Sequence, residues 1–91
     1  MPWHVVVSPH VEGGFEVGHD LIRAFVILYK AAGRPAEVVI LHDRNDAGDH
    51  LYYFSPEATA LATDLLPAYH ATVCAAPADR DSLRRVPLED A

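Results

Sequence analysis

Hydrophobic and polar positions change rhythm several times along this chain. Trp3-His4-Val5-Val6-Val7-Ser8 is short and rich in β-branched residues, the composition of a strand. Pro9-His10-Val11-Glu12-Gly13-Gly14 follows as a loop. From Val17 to Ala32 the period is helical. At about 100° per residue, Leu21, Ile22, Phe25, Val26, Leu28, Tyr29 and Ala32 fall within one arc of about 160°, with Asp20, Arg23 and Lys30 opposite. Gly33 is placed to take a left-handed cap, and Pro35 cannot continue a helix.

Glu37-Val38-Val39-Ile40-Leu41-His42 is nearly all apolar and predicts an interior strand. The run Asp43 to Asp49 is a turn by composition, and His50-Leu51-Tyr52-Tyr53-Phe54 makes the return arm of a hairpin. Ser55-Pro56-Glu57 opens a second helix: a hydroxyl cap, a proline at the first position and an acid in the first turn. That helix carries Ala58, Leu61, Ala62 and Leu65 on one face and stops at Pro67, after which Tyr69 to Cys74 reads as a fourth strand. From Pro77 charges alternate around Leu83, Val86 and Leu88. Residues 1–76 are therefore expected to form a single α+β domain, and 77–91 a charged C-terminal tail.

The order β-α-β-β-α-β predicts a ferredoxin-like split β-α-β fold, a four-stranded antiparallel sheet with both helices on one face and strand order 4-1-3-2. The rival is a small Rossmann-like layer in which the first β-α-β pairs side by side. Strand side chains alternate faces. The odd-numbered set (Trp3, Val5, Val7, Val39, Leu41, Leu51, Tyr53, Ala71, Val73) is apolar throughout and suits the face under the helices. The even-numbered set mixes histidines with Val6, Val38, Ile40, Tyr52 and Phe54. An open face that apolar marks an interface or ligand surface.

At 91 residues and 10.0 kDa the chain holds one small core, and its 51 % hydrophobic and 22 % charged residues are ordinary for a globular domain. Thirteen acids against seven bases give a net charge of −6, which argues against nucleic acid. The single cysteine, Cys74, excludes an internal disulfide and suits a reducing compartment, hence the cytoplasm. The apolar run Ala24 to Tyr29 is too short for a bilayer, and the first residues lack a signal-peptide layout; no membrane partner is expected.

Histidine is the one abnormal count, at six. In the split β-α-β plan His10, His42, His50 and His70 fall at one end of the sheet, joined by His19 from the first helix, with His4 roughly 20 Å away. Strands about 4.8 Å apart put His70 and His42 about 14 Å from each other, too far to share an ion. His10, His42 and His50 stand on neighbouring strands. Were the hairpin to pair His42 with His50 directly, two imidazoles would meet, and Asp43 or Asp49 could add a carboxylate. Such a set suits zinc or non-haem iron, or general acid–base work. The plainer reading is that polar residues collect at strand ends because backbone there needs partners; no histidine pair has a recognised metal spacing.

Gly13 to Gly18 matches neither dinucleotide nor P-loop patterns. Tyr52-Tyr53-Phe54 could stack bases, but no strand carries lysine or arginine. Ser55 reads as a helix cap and Cys74 as a small apolar residue rather than a nucleophile. The element order over residues 3–76 resembles the dimeric α/β-barrel group of small monooxygenases, muconolactone isomerases and stress-response proteins. That resemblance implies burial of the even-numbered face against a second copy and carries no catalytic residue. Two functions compete. One is a non-enzymatic binding module, homodimeric through its open face, with a small-molecule ligand possible. The other is a metal-binding protein or small enzyme using the His/Asp cluster.

Overall fold

The structure, a computed structural model, describes residues 2–8, 14–33 and 39–86, with backbone only at 14–20 and Ala68. It is α+β: a five-stranded antiparallel sheet with two α-helices. The elements are β1 (Trp3–Ser8), α1 (Gly14–Ala31), β2 (Ile40–Arg44), β3 (His50–Phe54), α2 (Pro56–Leu61), β4 (Thr72–Cys74) and β5 (Arg84–Arg85). The sheet runs β4-β1-β3-β2-β5.

Local chemistry accounts for most boundaries. Helix α1 stops where the periodicity does, with the Gly33 N–H donating to the Lys30 carbonyl at 3.2 Å and Gly33 at φ +61°, a conformation glycine adopts without a Cβ clash. The hairpin turn closes through Gly48 N–H to the Asn45 carbonyl at 2.9 Å, with Gly48 at φ +86°. Ser55 caps α2, its Oγ accepting from the Ala58 N–H at 3.2 Å. This helix is shorter than its apolar spacing implies. It ends at Leu61, and a 3₁₀ turn at Leu66–Tyr69 leads to His70 in the left-handed region at φ 56°. His70 is thus outside β4, exposed, and not at a strand start.

Directly opposed residues of antiparallel strands share a face. Val6 faces Tyr52, His4 faces Phe54, and Ile40 faces Phe54 from the other side. Val6, Ile40, Tyr52 and Phe54 all pack into the cluster formed by Leu21, Ile22, Phe25, Val26 and Tyr29 of α1 with Ala58, Ala62 and Leu66. Phe25 and Phe54 have no exposed surface and sit 5.7 Å apart, ring centre to ring centre. Emptying such a site, as in Phe54→Ala, costs about 3–5 kcal/mol.

The two faces are therefore exchanged relative to expectation. Val6, Ile40, Tyr52 and Phe54, read as an open interface or ligand face, are the core beneath the helices; Val38, the fifth of that set, lies outside the described residues. Both sets of alternating positions are apolar, so period alone cannot choose between them. Packing against α1 and α2 chooses the set that holds Val6, Ile40, Tyr52 and Phe54. The expected homodimer loses this surface, because the chain covers it with its own helices. Strand β4 also departs by one register step. Val73 opposes His4 on the helix side, whereas Thr72 and Cys74 oppose Val5 and Trp3 on the other.

Residues 77–86 of the expected tail are also built into the fold, and 87–91 lie outside the described residues. The sheet has a fifth strand instead of four: β5 pairs with β2, the Val86 N–H donates to the Ile40 carbonyl at 3.0 Å, and Val86 packs on the core. To pass from β4 at one edge to β5 at the other, the chain crosses the second face. Pro77, Asp79 and Leu83 lie over Asp43 and Tyr53, and Arg80 and Asp81 lie beside Trp3 and Leu41. This crossing explains why Leu41 is only 2 % exposed on the side away from the helices.

Candidate functional site

The hairpin brings His42 and His50 together, though not by direct pairing. His42 opposes Tyr52 and His50 opposes Arg44, so the two histidines are diagonal neighbours on the helix side of the sheet. His42 Nε2 and His50 Nδ1 are 2.8 Å apart, with ring centres 5.0 Å apart and ring planes 10° from parallel. At that contact the rings meet edge to edge in nearly one plane rather than lying one upon the other. One nitrogen donates its N–H and the other accepts. The Tyr52 ring runs alongside, 5.1 Å from His42 at 24° and 6.5 Å from His50 at 19°.

The surroundings of His42 hold its pKa below the ordinary 6.5. Burial is the largest cause, followed by His50, then Arg84 of β5; Arg44 acts the same way, and Asp43 opposes them. Arg84 reaches this position because β5 sets it opposite His42. Two charged residues in a row carry no strand signal, so neither β5 nor the influence of Arg84 was visible in the sequence. The nearest hint was the apolar Val86 just beyond. Burial also raises the Tyr52 phenol, and burial with Asp43 and Cys74 raises that of Tyr53.

The carboxylates of the expected metal set, Asp43 and Asp49, stand apart from the two histidines. Asp43 opposes Leu51 on the opposite face, and its Oδ1 accepts from the Arg44 N–H at 2.8 Å. Asp49 is clasped in the turn, where Asn45 Nδ2 donates to its Oδ2 at 3.1 Å and its own N–H donates to Asn45 Oδ1 at 2.9 Å. His10 lies outside the described residues, and His19 is described by its backbone alone. Among the described residues no three histidine, cysteine, aspartate or glutamate side chains gather as a metal would require. His4 stands apart, with its buried Nδ1 lacking a hydrogen-bond partner among the described residues.

Among the described residues, two cavities open on the second face. One, of about 330 Å³, has Trp3 and Leu41 in its lining with Arg80, Arg85, Glu57 and Asp81. The other, of about 370 Å³, lies between Asp43, Tyr53 and the Pro77–Leu83 segment. Cys74, half-buried on this side and free, has its thiol pKa raised by burial, which leaves little thiolate for nucleophilic work. No helix of the described residues is long and apolar enough to cross a membrane. Compared with protein families, curated proteins and solved structures, the chain matches none.

Proposed function

We propose that this chain is a non-enzymatic binding module on a ferredoxin-like split β-α-β plan, made responsive to proton concentration by the His42–His50 pair. The order β4-β1-β3-β2 supports that plan, with β5 as an addition at its edge. The 2.8 Å contact between His42 Nε2 and His50 Nδ1 carries the functional reading. A hydrogen bond of this kind tolerates one proton between the two nitrogens. A second would set two N–H donors face to face, with Arg84 and Arg44 nearby and Asp43 as the opposing charge. Even where the added proton goes to an outer nitrogen and the bond survives, charging the half-buried His42 beside Arg84 and Arg44 works against the β2–β3 hairpin.

The test compares stability against pH for the wild type and His42→Gln. A histidine whose folded pKa is depressed binds its proton more readily in the unfolded chain, so its contribution is present above 6.5 and is lost as pH falls from 6.5 toward the lower folded value. The slope has a ceiling of about 1.4 kcal/mol per pH unit for one proton, and solvent around this half-exposed ring reduces it. Wild type should lose more stability than His42→Gln between pH 7 and pH 5, both about, in urea titrations. Parallel curves would remove the proton reading. The competing metal reading needs the facing nitrogens to part to about 3.3 Å around a tetrahedral ion. A zinc-induced rise in melting temperature that His42→Gln abolishes would put cation binding in its place.

A further inference from the structure

We propose that residues 84–86 form a strap that acid releases from the outer edge of β2. The inference rests on the proton reading above and names the element that the added charge moves. Strand β5 is Arg84–Arg85 alone, with both side chains exposed. Among the described residues it is held by the pairing of Arg84 with His42 and of Arg85 with Leu41. The 3.0 Å hydrogen bond from the Val86 N–H to the Ile40 carbonyl and the packing of Val86 on the core complete the seat. A strand averages about 5–6 residues, and opening begins at edge segments with so few bonds.

The register puts Arg84 and His42 directly opposite each other on the helix side of the sheet. Among the described residues, the groups that act on His42 are His50 and Tyr52 of β3, Asp43 and Arg44 of its own strand, and Arg84 of β5. The Tyr52 phenol is uncharged near neutrality, and Asp43 opposes from the other face of the sheet. A proton on His42 therefore sets one positive charge against another across the β2–β5 pair, and like charges so placed weaken a strand pair. Of the charged neighbours, Arg84 is on the strand that can leave, since β2 and β3 pair over five residues each. Burial first, then His50, then Arg84 hold the His42 pKa below 6.5 in the seated state. Release removes Arg84 and wets the ring, so the released state binds the proton more readily, and release grows as pH falls below 6.5. Acid thus bares a strand edge at Ile40–His42 and the Leu41 side chain, which is 2 % exposed while the strap is seated.

Amide hydrogen exchange of the full chain, followed by NMR at about pH 7 and about pH 5, reads this opening residue by residue. Protection factors, which remove the intrinsic pH dependence of exchange, are compared for Val86 and for the β3 amides paired with β1, which report opening of the whole sheet. On acidification Val86 should lose about two- to fivefold more protection than β3, the range that a like-charge pair supplies. Arg84→Gln, at an exposed position, should remove most of that extra loss, as should His42→Gln. Arg84→Glu should reverse it, because acid then creates an opposite-charge pair. The proposal is overturned if Val86 and β3 lose protection in parallel, if Val86 keeps its protection, or if Arg84→Glu loses as much as the wild type. Should the strap fail in one of these ways while the wild-type and His42→Gln urea curves still diverge, the proton reading stands without it. Parallel urea curves as well would remove both.

Discussion

Leu41 is the sharpest probe of how this fold closes its second face. It lies on the same side of the sheet as Val7, away from both helices, yet Leu41 is 2 % exposed and Val7 48 %. The difference follows from the crossing of residues 77–83 and the pairing of β5 with β2, which puts Arg85 opposite Leu41. Cutting a buried leucine to alanine forfeits the transfer energy of its branch and leaves a void, about 2–5 kcal/mol in all. That is a large share of the roughly 5–15 kcal/mol that holds such a domain together. Val7→Ala, on a half-wet site, should cost under about 1 kcal/mol. Urea unfolding followed by Trp3 fluorescence and by far-UV circular dichroism separates the two. With a slope of about 1–2 kcal/mol per molar for a chain this small, Leu41→Ala should lower the midpoint by about 1 M or more, and Val7→Ala by clearly less. Deleting residues 77–91 should also shift Trp3 emission to the red as water reaches the ring. Equal, small losses for the two substitutions would mean that the second face is open and that the crossing segment does not cover it.

Other consequences are simpler to read. Ser55→Ala removes the acceptor for the Ala58 N–H and should cost about 1 kcal/mol in urea titrations, whereas Ser55→Asp should retain most of the cap. The Tyr29 hydroxyl is buried without a hydrogen-bond partner among the described residues, so Tyr29→Phe should leave stability unchanged or raise it by about 1 kcal/mol; a clear loss would mean the hydroxyl is bonded in solution. Cys74, with its thiol pKa raised by burial, should react with a disulfide reagent at neutral pH more slowly than free cysteine and accelerate as pH rises. A rate equal to that of free cysteine would show the strand edge to be open.

Much of this protein is written locally. The 3.6-residue period and Gly33 mark the body and end of α1, Ser55-Pro56 marks the start of α2, and the aromatic run at 50–54 marks β3, because each is settled by contacts within a few residues. The meeting of His42 and His50 was also legible in outline, since a hairpin around the Asp43–Asp49 turn must bring its ends together. The diagonal register and the 2.8 Å contact were not, because they depend on how the Asn45–Asp49 clasp sets the turn. Three features came only from the tertiary structure. Which apolar set lies under the helices depends on which one meets α1 and α2 in the packed core, to which a period of two is blind. The pairing of Arg84–Arg85 with β2 depends on backbone hydrogen bonds that no side-chain pattern encodes. The dispersal of Asp43 and Asp49 from the histidines depends on the pleat and the turn, which send neighbours in sequence to different sides. Local preference named the elements; the packing of distant segments decided which of their faces meet water and which residues can act together.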